Sequence, residues 1–356
     1  MITLGLESSC DDTAAAILEN SDQLLSSVVA SQFSTHHDFG GVVPELASRE
    51  HINNICYVVA QALARAELTF QSLDAIAVTQ GPGLVGALLV GLTYAKGLAF
   101  SLGIPFVGVN HLQGHIASVL LENPAAEFPA LSLVVSGGHT SLYYMTSATE
   151  TRQLARTLDD AAGEALDKLA KLLGMGYPGG PVIDRLAEYG NAKAVSFSLP
   201  KISSGELAFS FSGIKSAAVR YVLQQGIVPV KKGATDDPER VPPQVLDLLA
   251  SYQKSIVDQL IHRLDQGLSG RLVRSIQLSG GVSCNSELRQ RAREHFERKG
   301  IQVYYPSLEL TTDNAAMIAA AGVLRLRSGH RDDWDLQADP NLALYPVLPT
   351  SAEKKE

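Results

Sequence analysis

LSLVVSGGHTSLYYM (residues 131–145) reads as a strand, a glycine turn and a second strand. The chain opens in the same shape, with ITLGLES and AAAILE flanking the acidic turn inside GLESSCDDTAAAIL (residues 5–18). Two strand–turn–strand units about 130 residues apart predict a duplicated, two-lobed architecture. Between them PELASREHINNICYVVAQALARA (44–66) has helical periodicity, DAIAVTQ (74–80) is a short buried strand, 86–102 a buried helix and PFVGV (105–109) another strand. Strand and helix alternate, which argues an α/β fold with sheets at least partly parallel. Later come a helix at 159–174 with Asp159 or Asp160 as its cap, a long amphipathic helix at 241–268, and the strand SIQLSGG (275–281) running into a helix from Ser286. Residues 226–243, rich in Pro, Gly and charge, read as a mobile loop.

The bulk numbers fit that picture. A chain of 356 residues is long enough for two buried cores, and 46% hydrophobic with 19% charged residues excludes a wholly disordered chain. Cys10, Cys56 and Cys284 form no CxxC and no disulfide framework, which suits a reducing compartment. The first residues carry no basic leader, and the most apolar stretch, 81–109, contains Lys96, two prolines and several glycines, so no membrane span is expected. The expected location is cytoplasmic.

Charge is unevenly spread. Residues 1–150 hold three Lys/Arg against thirteen Asp/Glu, a balance of −10, and the remainder holds 26 against 24, a balance of +2. Within 190–233, Lys193, Lys201, Lys215, Arg220, Lys231 and Lys232 face only Glu206. Such a patch is either a solvated loop region or a contact for a polyanion.

Several motifs carry chemistry. Asp11 and Asp12 are either ordinary turn residues or carboxylates aimed at a reacting group. GPGLVG (81–86) matches G-x-G-x-x-G, but no acid lies between Asp74 and Glu122 to hold a ribose, so it reads as strand–helix packing; there is no P-loop. HLQGH puts His111 and His115 on one helical face, close enough to share a metal. Leu112 stands where a metalloprotease needs its glutamate, and Asp313, at the start of an apolar helix, is the candidate third ligand. The turns VVSGGHT (134–140) and LSGGVSCN (278–285) follow apolar strands and let backbone N–H groups approach an anion. YPGGPVID (177–184) adds another glycine turn with a carboxylate behind it.

These stretches, with GGVVPELASREH, DDAAGEALDK, FSFSGIK and TDNAAMIAAAG, resemble the universal tRNA threonylcarbamoyladenosine transferase family from about residue 2 to 345. The resemblance implies the actin/sugar kinase/Hsp70 (ASKHA) fold, an α/β protein with two lobes around a nucleotide cleft and a duplicated mixed-sheet core. The expected lobes are residues 1–129 with 316–345, and 130–315, followed by a flexible tail at 346–356.

The activity implied is transfer of a threonylcarbamoyl group from threonylcarbamoyl-AMP to the exocyclic amine of the adenosine 3′ of the anticodon, in tRNAs reading codons that begin with A. By resemblance His111, His115 and Asp313 bind one divalent metal, Fe2+ or Zn2+. Val134, Val135, Ser136, Gly137, Gly138, Asp167, Gly180, Asp184 and Asn285 contact the ligand, and Asp11 and Asp12 face the cleft. Asp12 departs from the many relatives that carry Glu there. The implied partners are tRNA, a TsaB-like paralogue and a TsaE-like ATPase, and a homodimer is compatible. Competing readings are an ASKHA-type kinase or ATPase, a metalloprotease, and a non-catalytic scaffold like the family's small inactive paralogue; the last conflicts with the intact histidines and SGG turns.

Overall fold

A computed structural model of the chain describes residues 1–37, 39, 41–199, 202, 206–231 and 233–344. It divides into two compact units, Met1–Ala126 with residues 305–344, and Glu127–Tyr304. The return to the first unit thus lies at Tyr305 rather than at 316. The physical reason is local: the Ser307 N–H donates to Glu122 Oε2 at 2.5 Å and Asn123 Nδ2 donates to the Tyr305 carbonyl at 3.3 Å, tying this segment to the end of helix His111–Glu122. Asp313 therefore belongs to the first unit. The tail at 346–356 lies outside the described residues.

Each unit is built on a five-stranded mixed sheet. In unit one the strands are β1 (Ile2–Glu7), β2 (Asp12–Glu19), β3 (Gln23–Ser31), β4 (Ala75–Gly81) and β5 (Phe106–Asn110), in the order β3-β2-β1-β4-β5. In unit two they are β6 (Ala130–Val135), β7 (Thr140–Met145), β8 (Thr151–Arg156), β9 (Ser275–Ser279) and β10 (Gln302–Tyr304), in the order β8-β7-β6-β9-β10. In both, an antiparallel meander of three strands is extended by two parallel ones, so the topology is the same. The repeat visible in the sequence is a repeat of fold.

Both faces of the unit-one sheet are covered, which explains why its strands read as nearly continuous apolar runs. Leu4, Leu6, Ile76 and Val78 face helices Pro44–Arg65 and Val85–Leu102, while Ala75, Ala77, Val107 and Val109 face helix Ala315–Arg327. Helix Val85–Leu102 is long and apolar enough by composition to cross a membrane, yet it buries Ala87, Leu88, Gly91, Leu92, Ala95 and Ala99 inside the unit. The GPGLVG turn that precedes it is a packing element, as its sequence suggested: the Leu84 N–H donates to the Ser9 carbonyl at 2.8 Å.

In unit two the long helix Pro243–Leu268 packs on β6 and β7. One expectation is corrected here. Helix Ala162–Leu172 starts after Ala161, and neither Asp159 nor Asp160 caps it; both carboxylates turn to other partners, described below. The described residues of 226–242 hold no α-helix or strand, and the segment carries short 3-10 turns at Ala234–Asp236 and Pro238–Arg240.

Candidate functional site

Three side chains from two segments converge in unit one. Strand β5 ends at Asn110, whose Oδ1 accepts the Leu112 N–H at 2.9 Å and starts helix His111–Glu122. The helical repeat then sets His111 and His115 on one face, with ring centroids 4.8 Å apart. Asp313 precedes Asn314, whose Oδ1 accepts the Met317 N–H at 2.9 Å and caps helix Ala315–Arg327. The two helices meet closely at Gly114, where a Cβ would stand 2.8 Å from Ile318 Cδ1 and 3.1 Å from Met317 Cγ. His115 Nε2 consequently lies 3.2 Å, and His111 Nε2 3.5 Å, from Asp313 Oδ1.

This donor set fits a metal ion. Ligand atoms about 2.1 Å from a shared ion stand roughly 3.0–3.4 Å apart in octahedral or tetrahedral geometry, close to the two spacings to Asp313, and all three donor atoms lie within 4.8 Å of one another. Two imidazoles and one carboxylate on a cation leave coordination positions open for a reactant. Burial opposes a charged His111, but Asp313 and Glu7 outweigh it and push the ring up to about 9. The site is built for a positive charge, which either a proton or a metal can supply.

Glu7 is the residue that sequence reading missed. It ends β1 fully buried, its Oε1 accepts the Ser9 N–H, and its Oε2 accepts from Thr79 Oγ1 at 2.8 Å and His111 Nδ1 at 3.0 Å. Burial alone would raise its pKa, yet the His111 charge and hydrogen bond hold it below the usual value. Only its position directly before the acidic turn could have drawn attention to it.

The acidic turn lies in the same unit. Asp11 and Asp12 are both raised above ordinary carboxylates, chiefly by burial and then in part by the charge of Asp313, with Asp12 pushed up to about 7. A group that titrates near neutrality can both take and release a proton. The turn is braced from behind. His51, buried on helix Pro44–Arg65, contacts the Cys10 carbonyl through Nε2 at 3.0 Å and Thr13 Oγ1 through Nδ1 at 2.8 Å. A carbonyl only accepts, so Nε2 carries the hydrogen; burial lowers the ring's pKa and keeps it neutral, so Thr13 donates to Nδ1.

In unit two, β6 and β9 are parallel neighbours with Val134 opposite Ser279, so the two SGG turns emerge side by side at one end of the sheet. Gly280 has a φ of +84°, and a Cβ there would sit 2.6 Å from the Val135 carbonyl oxygen, which holds the second turn against the first strand. Val134 and Val135 are fully buried, whereas Gly137 and Gly138 are exposed and have open space around them. Asp167 Oδ1 accepts the Gly179 N–H at 2.7 Å, which places it beside Gly180 at the start of helix Gly179–Ala187. Asp184 and Asn285 are joined directly: Asn285 Nδ2 donates to Asp184 Oδ1 at 2.9 Å, and Gln253 Nε2 and the Ser286 N–H donate to the same carboxylate. The unit-two candidates thus fall into neighbouring clusters.

The basic stretch is only partly available. Lys193, Arg220 and Lys231 are exposed, but Lys215 is half-buried and pairs with Asp160, which also takes Lys168 at 2.8 Å. Lys201 and Lys232 lie outside the described residues. Asp159 binds the FSFSG segment, accepting from Ser210 Oγ at 2.6 Å, the Phe211 N–H at 2.7 Å and Ser212 Oγ at 2.7 Å. DDAAGEALDK and FSFSGIK are therefore two halves of one latch.

The repeated sheet and these glycine turns define an ASKHA-type α/β protein. Component A of (R)-2-hydroxyglutaryl-CoA dehydratase from Acidaminococcus fermentans shares the fold at 16% identity with a TM-score of 0.52, covering 92% of this chain and 99% of its own. Within that class, the family model for tRNA N6-adenosine threonylcarbamoyltransferase (TsaD) matches residues 23–320. Proteins of that name from Symbiobacterium thermophilum and Koribacter versatilis are 48% and 47% identical, over 96% of this chain and 97% and 99% of theirs. The chain belongs to the tRNA N6-adenosine threonylcarbamoyltransferase family and is a transferase.

Proposed function

We propose that this chain transfers the threonylcarbamoyl group of threonylcarbamoyl-AMP to the exocyclic amine of the adenosine 3′ of the anticodon, in tRNAs reading codons that begin with A. We assign the divalent metal, Fe2+ or Zn2+, to His111, His115 and Asp313. The observation that carries the reading is the convergence of these three donors in unit one, in a chain of this family. A bound ion supplies Lewis acidity there, polarising a carbonyl or holding phosphate oxygens.

The protein's own groups do the rest. The amine nitrogen attacks the carbamoyl carbon, the new N–C bond forms, the C–O bond to phosphate breaks, and AMP leaves with the electron pair. The amine loses one proton, and a carboxylate of Asp11 or Asp12 is the acceptor we assign. Backbone N–H groups of Ser136–Gly138 hold the adenylate, with Asp167, Gly180, Asp184 and Asn285 as further contacts; positioning contributes heavily in such transfers. By the same resemblance the partners are tRNA, a TsaB-like paralogue and a TsaE-like ATPase, and the reaction is cytoplasmic.

Incubation with tRNA and threonylcarbamoyl-AMP, followed by mass spectrometry of the nucleosides, tests this reading; threonylcarbamoyladenosine is the expected product. ATP turnover without tRNA, and no modified nucleoside, would instead indicate the ASKHA kinase or ATPase reading.

A further inference from the structure

We propose that Glu7 is a positioning residue for His111: its buried carboxylate fixes the hydrogen on His111 Nδ1, turns Nε2 toward Asp313, and thereby sets the affinity of the unit-one site for a divalent cation. The proposal rests on the metal assignment made above and extends it to a residue outside the donor set.

Glu7 calls for an explanation because its carboxylate is fully buried at the end of β1. Burying an ion is costly unless every lone pair finds a partner. Here the partners are specific. The Ser9 N–H serves Oε1, and Thr79 Oγ1 at 2.8 Å and His111 Nδ1 at 3.0 Å share Oε2. Neighbouring parallel strands fix two of these groups, since Leu6 on β1 pairs with Val78 on β4, and Glu7 and Thr79 are the next residues. The carboxylate's place is therefore set by the sheet and does not depend on the helix that carries His111.

The tautomer follows from hydrogen-bond logic. An ionised carboxylate only accepts, so His111 Nδ1 donates to Glu7 Oε2 at 3.0 Å, with Ser9 Oγ a second oxygen 3.2 Å from the same nitrogen. A singly protonated ring then presents a bare Nε2, and this atom lies 3.5 Å from Asp313 Oδ1. The positive charge that Glu7 and Asp313 favour at this ring is supplied by a second proton on Nε2 or, in its place, by a cation held between Nε2 and Asp313. Carboxylates that hold metal-binding histidines in this way alter metal affinity by about 10- to 100-fold when removed.

Glu7→Gln is the discriminating variant. The amide keeps the shape but loses the charge, and its NH2 must face either the Ser9 N–H or the Thr79 hydroxyl and His111 Nδ1 together. The full-length protein is stripped of metal and titrated with Zn2+ or Co2+ against a competing chelator. The expected result is a dissociation constant about 10- to 100-fold higher for Glu7→Gln, with wild-type circular dichroism. Thr79→Val, which removes one donor to the same oxygen, weakens binding by a smaller factor.

A wild-type measurement stands if Glu7→Gln does not fold. In the Co2+-loaded protein, a hyperfine-shifted, slowly exchanging Nδ1–H resonance that is lost in His111→Ala is expected. A folded Glu7→Gln with unchanged affinity, or His111 coordinating through Nδ1, overturns the proposal alone. Wild-type protein that takes up neither ion overturns the metal assignment and this proposal with it. Metal uptake without any tRNA modification overturns only the proposed reaction.

Discussion

His51 and Thr13 are joined by a 2.8 Å hydrogen bond between Nδ1 and Oγ1, and the same ring reaches the Cys10 carbonyl at 3.0 Å. One buried imidazole therefore spans both ends of the turn that carries Asp11 and Asp12. A turn braced this way holds its carboxylates in one orientation, as a proton acceptor requires. Thr13→Val removes the bond while preserving shape. It should lower kcat for transfer by about 10- to 100-fold, the scale of a small misplacement of a catalytic group, with KM for threonylcarbamoyl-AMP unchanged. Steady-state kinetics decide it, and a wild-type kcat would mean that the brace is purely structural.

Asp11→Asn addresses the turn directly. Adenylate binding should be retained, and transfer should slow by about 10²–10⁴-fold, the usual scale of lost acid–base help. Equilibrium binding of a non-reactive adenylate analogue and single-turnover transfer separate the two effects. A rate within a factor of a few of wild type would identify Asp11 as a turn residue.

Asp159 ties the start of helix Ala162–Leu172 to the FSFSG segment, and its hydrogen bonds to Ser210, Ser212 and Phe211 overcome burial and hold its carboxyl below the usual value. A carboxyl depressed in the folded state contributes stability above its unfolded pKa, and this is lost as pH falls through the folded one. Asp159→Asn should cost about 1.5–3 kcal/mol at neutral pH, the scale of a hydrogen bond to a charged group. Its stability should also fall less steeply than that of wild type below about pH 4, where an ordinary Asp titrates. Urea melts across that range check both parts; parallel curves for the two proteins would contradict the latch.

tRNA must reach a protein whose first 150 residues carry a balance of −10. The exposed cations of unit two that remain candidates are Lys193, Arg220 and Lys231. Replacing all three by Gln should weaken tRNA binding and reduce the salt slope by about one unit per lost phosphate contact. Lys215→Gln should instead act on stability, because its partner is Asp160. Filter binding over a salt series tests this; unchanged affinity of the triple variant at low salt would place the RNA surface elsewhere.

Much of this architecture could be read from the sequence. Strand–turn–strand signals at residues 5–18 and 131–145 announced the repeated sheets, because buried β-strands flanked by turn residues leave a local pattern. His111 and His115 are equally local, being four residues apart on a helix. The parts that escaped depend on distant partners or edges. Glu7 acquires its meaning from Thr79 and His111, which are 72 and 104 residues away. Asp159 reads as a helix cap until the FSFSG segment, about fifty residues on, claims its carboxylate. Edge strands β3, β8 and β10 are short or half-exposed, so their periodicity was too weak to register.

The most direct test of the account is to compare wild type with the His111→Ala/His115→Ala double variant in one assay. Each is purified, analysed for bound iron and zinc, and incubated with tRNA and threonylcarbamoyl-AMP, alone and with the proposed TsaB-like and TsaE-like partners. Nucleosides are then measured by mass spectrometry. The account predicts about one metal ion per wild-type chain and none in the variant, with transfer reduced by about 10²–10³-fold, the equivalent of several kcal/mol of lost Lewis-acid stabilisation. A folded double variant that still binds stoichiometric metal, or still forms threonylcarbamoyladenosine at the wild-type rate, would contradict it.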